Sequence, residues 1–128
     1  MYKRQDESTA TALGEGAELL HREYGDDLRT LRDRADGDPA RVREALTAFP
    51  RLGPVGADIF CREVQDVWPS LRPAIDGKAL DGARRVGLPA DADELARLAP
   101  GSQLAPVAAA LVRVALDRSL ADEVRAAA

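Results

Sequence analysis

The stretch that decides the fold is residues 49–60, which read Phe-Pro-Arg-Leu-Gly-Pro-Val-Gly-Ala-Asp-Ile-Phe. Proline and glycine interrupt two apolar-periodic segments here, at the spacing of a tight hairpin. The second segment restarts with Val55, Ile59 and Phe60 on a helical period. Gly53 is expected to take a positive φ in the turn. The pattern predicts a helix-hairpin-helix over residues 49–67.

The backbone of such a hairpin suits a phosphate group. The N–H groups of Gly53, Val55 and Gly56 are left unpaired at the start of the following helix. The helix dipole lies behind those donors and favours an anion in front of them. Arg51 places a positive charge beside the same turn. The alternative is a plain connector between two helices, since proline–glycine turns are common there.

A second signature follows, because Ile75-Asp76-Gly77-Lys78 begins fifteen residues after Phe60 and Arg84-Arg85-Val86-Gly87-Leu88 comes next. In this order and separation, the two signatures resemble the helix-hairpin-helix DNA glycosylase superfamily that includes endonuclease III. That family's hairpin reads roughly Leu-Pro-Gly-Ile-Gly, and further on it has a Val-Asp-Thr-His run and an Arg-Leu-Gly-Leu-type ending. The chain departs from it in having Arg51 for the first hairpin glycine and Gly77-Lys78 for Thr-His.

The resemblance implies a base-excision activity and assigns residues to it. A glycosylase flips a nucleotide out of the duplex and breaks its N-glycosidic bond through a cationic sugar. Asp76 matches the family's catalytic aspartate, which stabilises that charge and orients a water. Arg51, Gly53, Val55, Gly56 and Lys78 are the expected DNA contacts. From the residues alone, the favoured interpretation of Asp76 is the N-cap of the helix that follows it, and that of Arg51 and Lys78 is solvated charges.

The resemblance also bears on the reaction type and on cofactors. Bifunctional members carry a lysine where this chain has Val55, so any activity is expected to be monofunctional, without the Schiff-base lyase step. Cys61 is the only cysteine, so this chain alone does not build the four-cysteine iron–sulfur site of many relatives. His21 lacks a second ligand nearby, and no metal site is expected. A monovalent cation held by hairpin carbonyls is implied for some relatives.

Composition is consistent with an all-α domain. The 128 residues are 45% hydrophobic but only 4% aromatic, which leaves packing to aliphatic side chains. The net charge is −4, yet residues 51–89 carry 6 basic and 5 acidic groups, which is mild support for phosphate contact there. We expect one helical domain over 1–128, with lead-in helices at 1–48, the helix-hairpin-helix at 49–67 and C-terminal helices at 74–120.

Capping residues predict where several helices begin and end. Asp6 or Ser8 is expected to start the first helix, which carries an apolar face that includes Leu13 and stops at Gly25. Asp38 before Pro39 predicts the start of the helix that leads to the hairpin. A capping box is expected where Asp91 precedes Glu94, and a final helix is expected over residues 107–120.

These expectations define two hypotheses. The first is a small bacterial endonuclease III-like protein, shortened at the N-terminus relative to the family, that binds double-stranded DNA containing a damaged or abasic site. The second is a non-catalytic DNA-binding or scaffold remnant that keeps the hairpin. A third interpretation is a helical protein that does not bind DNA. We expect a cytoplasmic protein, nucleoid-associated when bound, without a membrane span, which self-associates or binds a partner chain through an exposed apolar face.

Overall fold

The computed structural model describes residues 2–99 and 103–127, and side chains from residue 5 onward. Within these ranges the protein is helical and has no strand, which confirms the all-α prediction. The helices are α1 (Tyr2–Tyr24), α2 (Leu28–Arg34), α3 (Pro39–Leu46), α4 (Pro54–Val64), α5 (Gly77–Arg85), α6 (Ala92–Leu98), α7 (Leu104–Leu116) and α8 (Arg118–Ala127), with a single 3₁₀ turn at Pro69–Leu71.

The chain forms two compact units, Met1–Ala57 and Asp58–Ala128. The single domain expected over 1–128 stays a prediction. No helix in the described part of the chain combines the length and the apolar character that crossing a membrane requires.

The first helix begins earlier than the sequence predicts. It starts at Tyr2, so Asp6 and Ser8 lie inside α1 rather than at its N-cap. The residues before them include lysine, arginine and glutamine, which are good helix formers and extend the helix toward the N-terminus. Leu13 is 71% exposed, so it is not part of a buried stripe. Gly25 has a φ of +58° and ends the helix, as predicted.

Two aspartates start the next helices of the first unit. The carboxylate of Asp27 accepts the Arg29 N–H at 2.9 Å before α2. Asp38 caps α3 and Pro39 occupies its first turn, which confirms that prediction. The helices bury an aliphatic core that comprises Leu31, Ala35, Val42 and Leu46.

Aromatic contacts hold the segment that enters the hairpin. The rings of Tyr24 and Phe49 stack with their centroids 6.3 Å apart. The guanidinium of Arg34 lies 5.3 Å from the centre of the Tyr24 ring, within cation–π range. Phe49 is therefore fixed against the end of α1.

In the second unit, α5 and α7 cross at close range. A Cβ built on Gly82 would overlap the carbonyl oxygen of Leu111 and come within 2.6 Å of its carbonyl carbon. Only a glycine allows the two helix backbones to approach this closely. The contact forms the centre of a core made of Ala79, Ala83, Leu95 and Leu111.

The C-terminal helices confirm one boundary and correct another. The Asp91 carboxylate accepts the Glu94 N–H at 3.0 Å and caps α6, as predicted. The single final helix is wrong, because α7 ends at Leu116 and α8 begins at Arg118. Between them Asp117 is extended, and its carboxylate accepts the Leu120 N–H at 3.1 Å. This local cap competes with continuation of the helix.

Candidate nucleic-acid interface

The hairpin is a tight turn between α3 and α4, and its backbone differs from the prediction at one residue. The left-handed conformation occurs at Arg51, with a φ of +64°. The expectation that Gly53 takes a positive φ is wrong. The Leu52 N–H donates to the Phe49 carbonyl at 3.1 Å, which closes the turn around Pro50 and Arg51 and sets the backbone of Arg51.

The N–H groups at the start of α4 are open. The carbonyl of Gly53 accepts the Ala57 N–H at 3.0 Å, so Gly53 occupies the N-cap position, and Pro54 has no N–H to donate. The N–H groups of Gly53, Val55 and Gly56 have no acceptor in the part of the chain that the structure describes. Gly53 is exposed and Val55 is 73% exposed, whereas Gly56 is half-buried with the Leu52 side chain beside it.

Arg51 extends from this turn with its charge uncompensated by a carboxylate within the described residues. Its Nη1 donates to the hydroxyls of Thr9 at 3.1 Å and Ser8 at 3.3 Å, both on α1. Hydroxyl partners orient the guanidinium without neutralising it. The arginine of this turn therefore keeps its positive charge, and the three open N–H donors follow it in the chain.

The face that α4 buries is not the one that the sequence pattern indicates. Val55 is 73% exposed and Ile59 is 42% exposed, although both were expected to form the apolar stripe. The buried positions are the small residues Ala57 and Cys61, at 0% and 4% exposure, and Arg62 at 9%. Small side chains allow close packing on this face, whereas Val55 and Ile59 lie outside it.

A shallow groove beside the hairpin lies between α3 and the start of α4. It carries one charge of each sign, Arg43 and Glu44, so it is not a basic groove. Its walls are Ala40, Arg43, Glu44, Thr47, Pro54 and Ala57.

Asp76 is held by two interactions in the second unit. Its Oδ1 accepts the Ala79 N–H at 3.0 Å, which makes it the N-cap of α5. Its Oδ2 accepts a hydrogen bond from Arg62 Nη1 at 3.1 Å. The two side chains are 17% and 11% exposed, so this ion pair is largely removed from water. The N-cap role of Asp76 is therefore present, while a catalytic role stays a prediction.

Arg62 is the residue that the sequence reasoning missed. It lies fourteen positions before Asp76, on a different helix, and no local pattern connects the two. Its Nε is buried and has no hydrogen-bond partner among the described residues. The feature that marks Arg62 is its burial on α4, and burial is visible in the structure but not in the sequence.

Two polar side chains that precede Asp76 in the chain, the buried Gln65 and the half-buried Asp66, anchor the backbone around them. The amide of Gln65 donates to the carbonyl of Ala74 at 3.0 Å and accepts the Ala74 N–H at 2.9 Å. Asp66 accepts the N–H groups of Leu104 at 3.2 Å and Ala105 at 2.9 Å, which caps α7. Gln65 therefore fixes the backbone immediately before the Asp76 cap, while Asp66 fixes the start of α7.

The remaining candidates occupy ordinary positions. Trp68 is 5% exposed and packs edge-on against Phe60, with ring centroids 5.6 Å apart, so it does not present a face for base stacking. Lys78 is exposed in the first turn of α5. His21 Nδ1 lies 2.9 Å from Asp26 Oδ2, and that hydrogen bond raises the pKa of the imidazole above its ordinary value. The described residues contain no group of three metal-ligating side chains.

The structure thus brings the predicted residues together in two groups. Arg51, Gly53, Val55 and Gly56 lie in one turn of the first unit, and Asp76 and Lys78 lie at the start of α5 in the second. No family model, curated protein or solved structure matches the chain.

Proposed function

We propose that this protein is an endonuclease III-like helix-hairpin-helix protein of base excision, which binds the backbone of duplex DNA through residues 50–56. Under this proposal the N–H groups of the hairpin bind a backbone phosphate, and Asp76 faces the sugar of a damaged nucleotide. Val55 stands where bifunctional relatives carry the lyase lysine, so the reaction ends with base release.

The observation that carries the proposal is the set of open N–H groups on Gly53, Val55 and Gly56. Three unpaired donors at a helix N-terminus, two of them on exposed residues, fit the oxygens of a phosphate, and the helix dipole adds to the attraction. Arg51 strengthens the same site, because a guanidinium forms charge-assisted hydrogen bonds with phosphate oxygens. Phosphate contacts of this kind position a protein on DNA without reading its sequence.

A carboxylate added at the hairpin tests this assignment. We expect Val55→Asp to reduce affinity for a fluorescent duplex at least tenfold in low salt, because the new charge faces the phosphate and competes for the N–H donors. The same change should not harm the fold, since an acidic residue in the first turn stabilises a helix. Fluorescence anisotropy measures the affinity, and thermal unfolding monitors the fold.

Val67→Asp is the matched control. Val67 is 74% exposed, close to the 73% of Val55, and it lies eleven residues beyond the proposed contact segment 50–56. The substitution changes the net charge by the same amount, so general repulsion of DNA is equal in the two variants. Equal affinities for the two variants would refute the hairpin assignment.

A non-catalytic DNA-binding protein is the second candidate, and the engagement of Asp76 favours it. Both carboxylate oxygens already accept hydrogen bonds, from the Ala79 N–H and from Arg62. A carboxylate held in this way serves the fold whether or not it faces a sugar. The hairpin retains the same role under both candidates.

Base release separates the two candidates. In a glycosylase, Asp76→Asn abolishes release of a damaged base from a lesion-containing duplex while leaving DNA affinity nearly unchanged. In a remnant, the wild-type protein releases no base from any lesion tried. Asn keeps the cap, but Arg62 then retains only the exposed Glu63, at 3.5 Å, as a carboxylate partner, and we expect the free energy of unfolding to fall by about 2 kcal/mol.

Asp91→Asn is the control for that loss of stability. Asp91 is also an N-cap, but it is exposed, and among the described residues it accepts a hydrogen bond only from the Glu94 N–H. Asn and Asp cap helices about equally well, so this variant should unfold like the wild type. Base release is then measured at a temperature at which both variants are folded.

A further inference from the structure

A shallow cleft in the second unit is lined by three arginines. Arg85 is the last residue of α5, while Arg118 and Arg125 lie on α8. Ala121, which is 3% exposed, and Asp122 complete the lining. Residues 118, 122 and 125 are spaced four and three apart, so their side chains share one face of α8.

These arginines differ from their neighbours in having no carboxylate partner in the part of the chain that the structure describes. Arg84, adjacent to Arg85, pairs with Asp81 at 2.8 Å. Arg85, Arg118 and Arg125 form no ion pair with any described residue. Their charges are therefore available to a ligand.

The clustering is selective. Within the described residues of the second unit, Arg97 and Arg113 also lack a carboxylate partner, but neither lines the cleft. The other three converge on one concave surface, where Asp122 is the single opposing charge. Like charges at one site repel one another, and an anion in the cleft relieves that repulsion.

We propose that this cleft binds a phosphate group. Guanidinium groups match phosphate geometry through paired N–H donors, and three arginines line the cleft from two helices. The phosphate belongs either to a nucleic-acid backbone or to a free phosphorylated molecule. In the first case the cleft provides a second backbone contact for the DNA-binding function proposed above, and it rests on that function.

The test uses the Nε–Hε signals of the arginines in NMR spectra of the whole chain. Pyrophosphate, titrated at constant ionic strength, should shift the signals of Arg85, Arg118 and Arg125 with one saturating curve. The signals of Arg97 and Arg113 should stay in place. Absence of a saturating shift at the three arginines, or equal shifts at all five, would overturn the proposal.

Paired variants sharpen this result. Arg118→Gln with Arg125→Gln should abolish the pyrophosphate shift at Arg85, whereas Arg97→Gln with Arg113→Gln should leave it intact. Asp122→Asn removes the opposing charge and should tighten pyrophosphate binding severalfold. Asp93→Asn makes the same charge change on α6 and should not. A shift at Arg85 that survives the first pair would contradict the cleft as the site.

A short duplex in place of pyrophosphate identifies the source of the phosphate. If the backbone is the ligand, the duplex shifts the same three signals. In the Arg118→Gln with Arg125→Gln variant, the slope of the logarithm of the binding constant against the logarithm of the salt concentration then becomes shallower by about 0.9 for each phosphate contact removed. If pyrophosphate binds and the duplex leaves these signals unmoved, the cleft takes a free phosphorylated molecule. The comparison of Val55→Asp with Val67→Asp tests the hairpin assignment independently of either result.

Discussion

Arg51 holds a backbone conformation that favours glycine. Its φ of +64° places it in the left-handed region, at the position where the resembled family has its first hairpin glycine. A side chain in this region costs roughly 1 to 2 kcal/mol. Strained residues of this kind are retained where the surrounding structure requires them, often at functional sites. The strain at Arg51 indicates that the turn keeps this backbone conformation at a cost in stability.

Two substitutions at Arg51 isolate that strain. Arg51→Ala and Arg51→Gly both remove the hydrogen bonds to Ser8 and Thr9, but only glycine relieves the left-handed backbone. We expect the glycine variant to be more stable than the alanine variant by about 1 kcal/mol. Chemical denaturation measures the difference. Equal stabilities would show that the backbone at residue 51 is not strained.

Local signals in the sequence are sufficient to predict the structural role of several single residues. Asp38 and Asp91 cap the helices that they were expected to cap, because an N-cap bonds to an N–H only two or three residues away. The sequence pattern chose the wrong residue, Gly53, for the left-handed position. Arg51 takes it because the closure of the turn at Leu52, rather than residue preference, sets the conformation.

The helices α5 and α7 depend on one glycine for their close approach. Gly82 leaves no room for a Cβ beside the backbone of Leu111, whereas a Cβ on Gly77, in the first turn of the same helix, would contact nothing within 4 Å. The two glycines therefore have different roles within one element. Gly82 determines the packing of the second unit.

Alanine at each position separates those roles. We expect Gly82→Ala to lower the free energy of unfolding by about 3 kcal/mol, because two backbones must separate to admit the methyl group. Gly77→Ala should instead raise it by about 0.5 kcal/mol, since alanine loses less conformational freedom on folding. Thermal or urea unfolding gives both values. A Gly82→Ala protein as stable as the wild type would show that the helices do not meet as described.

At the level of elements, short-range sequence patterns predict the order of the helices, but they do not predict the contacts between residues that are distant in the chain. The helical order around the hairpin follows from apolar periodicity and punctuation by proline and glycine. The ion pair of Arg62 with Asp76 joins two elements fourteen residues apart, and no periodicity encodes it. The break at Asp117 arises from a competing side-chain cap, which the apolar pattern does not register.

Across the whole molecule, several large apolar side chains remain outside the two cores. Those that are more than 60% exposed are Leu13, Val55, Val67, Leu98 and Leu116. They occur in both units, as α1 and α7 illustrate. Single exposed apolar residues are common in folded proteins. Self-association through an apolar face therefore stays a prediction, as do the remaining properties implied by the family resemblance.

The central claim is that the open N–H groups of the hairpin bind a DNA phosphate, and the most direct measurement observes those groups. A ¹⁵N-labelled sample is titrated with a duplex that contains an abasic-site analogue, and again with the undamaged duplex. We predict saturating shifts at the amides of Gly53, Val55 and Gly56, with tighter binding to the analogue. DNA binding that leaves these three amides unmoved, or an absence of binding at low salt, would contradict the claim.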